Sequence, residues 1–165
     1  RTMYRFIVLA CVVAVGAQPM GDMPACARVS HGGLMCCKKE MPPMKPPSDD
    51  TKECFKLMKK PPSCDVDICL AKKKGLASDD GTIDKKKMAE DVEQLFENDP
   101  ELVDSLKENC INGDLAKYGP ADFCDLMKQR LCFDVQIIKR CNEWDDTGDC
   151  SGMKDLAAEC VKQFS

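Results

Sequence analysis

Apolar side chains recur at helical spacing through the second half of this chain. Met88, Val92, Leu95 and Phe96 stand at i, i+4, i+7 and i+8, which predicts one amphipathic helix from about Asp84 to Glu97. Asp99 followed by Pro100 supplies a capping oxygen and a first-turn proline. The helix they open carries Leu102, Val103, Leu106 and Cys110 on one side and closes at Asn112-Gly113. Gly119-Pro120 opens a further helical stretch whose apolar residues, Phe123, Leu126, Met127, Leu131, Val135, Ile137 and Ile138, cover too much of the circumference for a surface stripe and predict a central helix. A polar turn from Asp145 to Gly152 separates it from a last short helix bearing Leu156, Ala157, Cys160, Val161 and Phe164. Upstream, Cys69-Leu70 runs into Lys72 to Gly75, and Asp79-Asp80-Gly81 marks a turn. No alternating pattern of strand length is present, so the expected class is all-α.

Residues 18–63 differ in texture, because eight of the ten prolines fall there. Proline lacks an amide donor and restricts its predecessor, so long helices are not expected. One short helix is predicted from about Ser48 to Lys60, where Ser48, Asp49 and Asp50 offer capping oxygens and Cys54, Leu57 and Met58 share a face. The rest is expected to wrap the surface, tethered by Cys26, Cys36, Cys37 and Cys54.

The first residues add a compartment. Arg5 precedes an apolar run from Phe6 to Val15 and then Gly16-Ala17, the layout of a secretory signal peptide cleaved after Ala17. The run is too short for a membrane span of about 20 residues. Removing residues 1–17 takes Cys11 with it, leaving twelve of the 13 cysteines, an even number suited to full pairing in an oxidising compartment. The expected organisation is therefore a signal segment 1–17, a proline-rich cysteine-tethered extension 18–63, a helical core 64–145 and a C-terminal extension 146–165 with the last helix. Loss of Arg1 and Arg5 leaves 22 basic against 28 acidic residues, a net charge of −6. That balance disfavours nucleic acid and anionic membrane surfaces and favours solubility. The lysine runs 72–74 and 85–87 read as solvated helix faces.

The segment Cys69-Leu70-Ala71-Lys72-Lys73-Lys74-Gly75-Leu76, followed by Asp79-Asp80-Gly81-Thr82-Ile83-Asp84, resembles the third-cysteine segment of the insect odorant-binding proteins. Eight residues between Cys132 and Cys141 and forty between Cys69 and Cys110 are similar to that family's spacings, and Cys36-Cys37 with nearby prolines, Cys124, Cys150 and Cys160 resemble its cysteine-enriched branch. The chain departs from the pattern in having four residues between Cys64 and Cys69, where the family has three, and Asn142 after Cys141, where the branch has proline. The resemblance implies a compact disulfide-stapled bundle of six to seven short helices around an apolar cavity. It also implies the pairs Cys64–Cys132, Cys110–Cys141 and Cys69 with Cys37 or Cys36; the remaining cysteines have no implied partner.

What the resemblance implies for function is a secreted carrier of small hydrophobic ligands in extracellular lymph, a monomer or weak dimer able to hand its cargo to a chemosensory receptor, with no cofactor and no metal. The candidate lining residues are Leu76, Met88, Val92, Leu95, Phe96, Leu102, Leu106, Phe123, Met127, Leu131, Val135 and Ile138. Burying on the order of 300 Å² of ligand, at about 25 cal/mol/Å², leads to micromolar affinity once association costs are met. His31, the only histidine, reads as a loop residue, which leaves little for a histidine-driven release. An enzyme is not expected. Cys36-Cys37 is followed by two lysines, not the His-Asp pair of a secreted phospholipase, and no Gly-x-Ser-x-Gly elbow is present. The stretch Asp145 to Asp149 is similar to a calcium loop but lacks the terminal Glu, so a polar turn is expected. The rival reading is a secreted disulfide-rich interaction, defence or venom-type protein without a small-molecule ligand.

Overall fold

Seven α-helices, in a computed structural model that describes residues 25–30, 32–39, 48–59 and 63–164, account for the architecture. They are α1 (Ala25–Ser30), α2 (Asp49–Lys52), α3 (Asp65–Lys73), α4 (Lys85–Leu95), α5 (Pro100–Leu106), α6 (Asp125–Arg140) and α7 (Met153–Gln163). Among the described residues there is no strand, only two isolated bridges, Cys37 with Trp144 and Ala77 with Ile83. Residues 1–17, expected to be a signal peptide, and His31 lie outside the described residues.

The helix starts follow the capping chemistry of the sequence. The Asp84 carboxylate accepts the Lys87 amide at 3.1 Å and starts α4. Asp99 accepts the Leu102 amide at 3.3 Å ahead of Pro100 and starts α5. The second of these helices does not stop at Leu106; it loosens into a π-turn, Lys107–Ile111, before closing at Asn112. Gly113 is obligatory at that closure, because a β-carbon there would stand 2.3 Å from the Asn109 carbonyl oxygen.

As its broad apolar band predicts, α6 is central, touching α1, α3, α5 and α7. Val135 and Ile138 on α6 meet Leu106 on α5, Met88 and Val92 on α4, and Ala157 and Cys160 on α7 in one core. A buried amide is accommodated by specific partners. Gln136 accepts from the Ser105 hydroxyl at 2.9 Å and donates to the Tyr118 hydroxyl at 3.1 Å. Tyr118, fully buried, stacks on Phe164 with ring centroids 5.2 Å apart.

The N-terminal extension departs from expectation. Ala25–Ser30 is a helix, and its Ala25, Cys26 and Val29 sit inside the core against α7 instead of wrapping the surface. The predicted helix at Ser48 to Lys60 is present as α2 followed by a 3₁₀ turn, Glu53–Leu57.

All twelve cysteines expected to pair do so, but with other partners: Cys26–Cys160, Cys36–Cys150, Cys37–Cys141, Cys54–Cys69, Cys64–Cys124 and Cys110–Cys132. The three implied pairs, Cys64–Cys132, Cys110–Cys141 and Cys69 with Cys37 or Cys36, are not formed. Cys124 and Cys132 lie at the start and in the middle of α6, about 12 Å apart along its axis, so a residue that reaches one cannot reach the other. The start of α3 abuts the first, and the π-turn after α5 abuts the second. Cys37 is carried to Cys141 because its strand-like segment runs along 143–145, with the Lys38 amide donating to Glu143 O at 2.9 Å and the Asp145 amide to Cys36 O at 2.7 Å. Cys69 is left to Cys54 on the neighbouring 3₁₀ turn.

One polar cluster ties three parts of the chain. Asp99, besides capping α5, takes Lys39 at 2.5 Å and Arg140 at 3.0 Å. Burial pushes its carboxyl up, but the hydrogen bonds from Arg140, Lys39 and the Leu102 amide outweigh it and hold the pKa at about 2. A carboxyl depressed in the folded state contributes fully above its unfolded value near 4 and loses that contribution as the pH falls toward 2. Asp99→Asn is therefore expected to cost about 2 kcal/mol at neutral pH and almost nothing at pH 2. Chemical denaturation of both proteins across that range checks this; a difference that does not shrink on acidification would refute it.

Candidate binding groove

Turns, more than helix stripes, build the candidate site. A groove of about 650 Å³ is bounded by Ile68 of α3, the turn Asp80 to Ile83, Lys85 at the start of α4, the segment Ile111 to Ala116, and the first turns of α6 from Cys124 to Gln129. Two bridges fix its walls, Cys64–Cys124 joining α3 to the start of α6 and Cys110–Cys132 joining the π-turn to its middle. Gly81 adopts φ +84°, a left-handed conformation that favours glycine, and a β-carbon there would come within 3.1 Å of Ile68. This close approach seats the 80–83 turn on α3.

Ile68, Ile83, Ile111, Leu115 and Leu126 supply apolar surface, and Asp80, Lys85, Asp114, Asp125 and Lys128 supply charge. Asp80 accepts from the Ser78 hydroxyl at 2.6 Å and the Thr82 amide at 2.9 Å. The Ser78 hydroxyl first, and the Thr82 amide after it, lower its pKa to about 2, so this carboxylate stays charged at any physiological pH. Asp114 accepts the Ala116 amide at 2.8 Å. Gln129, itself buried, donates to Cys110 O at 3.2 Å, and its Oε1 has no hydrogen-bond partner within the protein. The arrangement can hold an elongated guest by apolar contact with a polar end at the rim. Among the described residues no three metal-ligating side chains converge.

The twelve residues expected to line a cavity lie elsewhere, none on the groove. Met88, Val92, Phe96, Leu102, Leu106, Val135 and Ile138 are buried in the packed core, and Leu76 and Leu131 pack against it. Phe123 and Met127 are half-buried. Leu95, counted in the α4 stripe, points outward with 50% of its surface exposed, because the inward positions of α4 are taken by Met88 and Val92. The groove residues carry a sequence signal only as turns, at Asp79-Asp80-Gly81 and Asn112-Gly113. Asp145 to Asp149 forms a polar turn in which Asp145 accepts from Thr147 and Asp146 from the Gly152 amide at 2.9 Å.

Comparison with protein-family models, with curated proteins and with solved structures finds no match to this chain.

Proposed function

We propose that the protein is a secreted carrier of small lipophilic molecules, its guest lying in the groove between the 80–83 turn, the 111–116 segment and the start of α6. The observation that carries this reading is a concavity within the ~300–1,000 Å³ range of small-molecule sites, in which Ile111 and Leu126 are buried beside the amide of Gln129 and the charged Asp80, Lys85, Asp114 and Asp125 are exposed. Six disulfides fit an oxidising, extracellular setting, and no helix among the described residues is long and apolar enough to cross a membrane. A charged rim around an apolar floor selects amphipathic guests, such as long-chain alcohols or acids, over pure hydrocarbons, because a rim group left facing hydrocarbon would be desolvated without compensation. The insect odorant-binding proteins, which the cysteine spacing resembles, are the family this reading has in view.

Ala116 lines the groove yet is exposed, so Ala116→Arg fills the site without disturbing the core. Titration with an apolar fluorescent probe, displaced by a panel of lipophiles, should show micromolar binding that this substitution weakens by roughly tenfold or more. Leu95→Arg, outside the groove, should leave affinity unchanged. If no lipophile displaces the probe, the carrier reading falls; if Leu95→Arg and Ala116→Arg act alike, the groove is not the site.

A further inference from the structure

Three of the five large hydrophobic side chains that the described protein leaves exposed lie within four residues: Phe55 at 42%, Leu57 at 41% and Met58 at 68%. Scattered exposed apolar residues are ordinary, whereas a cluster of them on one turn is not. Cys54, fully buried and bonded to Cys69 of α3 with Cα atoms 5.5 Å apart, pins the turn and keeps it from folding its apolar residues inward.

The charges around this turn are sorted. Asp49, Asp50 and Glu53 lie at its start, where Asp49 is engaged by Lys52 at 2.7 Å. Toward Met58 the ionic groups are Lys56, for which the described residues supply no acidic partner, and Lys59, held by Asp65 at 2.8 Å. The apolar residues thus emerge on the lysine side, and lysine stems can lie along a hydrophobic surface while their ammonium groups stay wet. A stable protein interface takes about 20–30 residues a side, far more than this tip offers. An interfacial lipid contact needs only a few apolar side chains and neighbouring bases.

We propose that the disulfide-pinned turn at Phe55, Leu57 and Met58 is a membrane-docking tip, inserting these side chains into the headgroup boundary of an anionic phospholipid surface with Lys56 and Lys59 at the phosphate level. Screening limits the effect of the chain's acid excess to charges within about 10 Å of the surface. Ile68, which lines the groove, and Cys69, which holds the tip, are consecutive on α3, so a docked protein would have its groove near the bilayer. The docking itself does not depend on the groove being a carrier site.

Co-sedimentation of the intact, disulfide-bonded protein with phosphatidylcholine vesicles, with and without phosphatidylserine, tests it. Binding is expected to the serine-containing vesicles and to be weaker without them. Phe55→Ser with Met58→Ser should reduce it roughly tenfold or more. Lys56→Glu should reduce it about fivefold at low salt and less at high salt. Leu95→Ser, an exposed leucine away from the tip, should change nothing. Phe55→Trp should show a blue-shifted emission on vesicles beyond any change from Trp144. Absence of binding, binding that survives the double serine substitution, or capture of a soluble protein through these side chains without vesicle binding would each overturn the proposal.

Discussion

Replacing Cys26 and Cys160 together by alanine should lower the unfolding free energy by about 3 kcal/mol and release α1 from the core ahead of the other helices. The bridge joins residues 134 apart, but Cys36–Cys150 lies nested inside it, so the loop it closes is only about 20 residues, 26–36 with 150–160, against 15 for Cys54–Cys69. In the chain-entropy description a cross-link stabilises by restricting the unfolded chain, and the restriction grows with the logarithm of the loop, so each of the two contributes about 3 kcal/mol. The long bridge has a second role in the native state. It is the covalent hold of α1 on α7, and α1 has only six residues, too few to be helical alone. Without it, Ala25 and Val29 should leave the core at a free-energy cost below that of global unfolding. Denaturant unfolding of the two double variants should show similar losses, and hydrogen exchange should show α1 opening ahead of α6 only in the Cys26→Ala, Cys160→Ala protein. A Cys26→Ala, Cys160→Ala protein whose α1 stays as protected as α6 would contradict the local role.

The same helix shows where the sequence stops being readable. Helices α4 and α5 were legible because each has an aspartate cap and a stripe long enough to repeat, and the central place of α6 followed from apolar residues on too many sides. Ala-Cys-Ala-Arg-Val-Ser, by contrast, has no room for a period to appear, and it stands just after Pro24 in a segment where proline argues against helix. Its burial is decided by a tertiary partner, α7, that lies at the other end of the chain. Cysteine count was informative and cysteine pairing was not, because connectivity depends on which helix ends abut. Cys132 meets Cys110 and Cys124 meets Cys64 by the angle at which α5 and α3 cross α6, and no spacing encodes that angle.

The site was less legible still, for a related reason. An apolar stripe on a helix says that the residues are covered, not by what. Met88, Val92 and Val135 are covered by one another, while the groove arises where turns fail to close over Ile68 and Leu126. Turn residues such as Gly81 and Gly113 carry the geometry, yet in sequence they only mark where helices end.

Leu106→Ala separates a solid interior from a hollow one. Leu106 is fully buried where α5 meets α6, and it was among the residues expected to face a ligand. In a packed core the truncation removes contacts on every side and should cost about 2–5 kcal/mol, because neighbours held by Cys110–Cys132 cannot collapse into the space. The cavity left behind, lined by apolar side chains, should stay dry and accept benzene, so benzene should raise the melting temperature of the variant and not of the parent. The affinity of the folded variant for a probe in the groove should be unchanged, since Leu106 is not part of its wall. Were the centre of the bundle already a ligand chamber, truncation would enlarge an existing void. It would then cost little stability, and the parent protein would respond to benzene as strongly as the variant while probe affinity shifted.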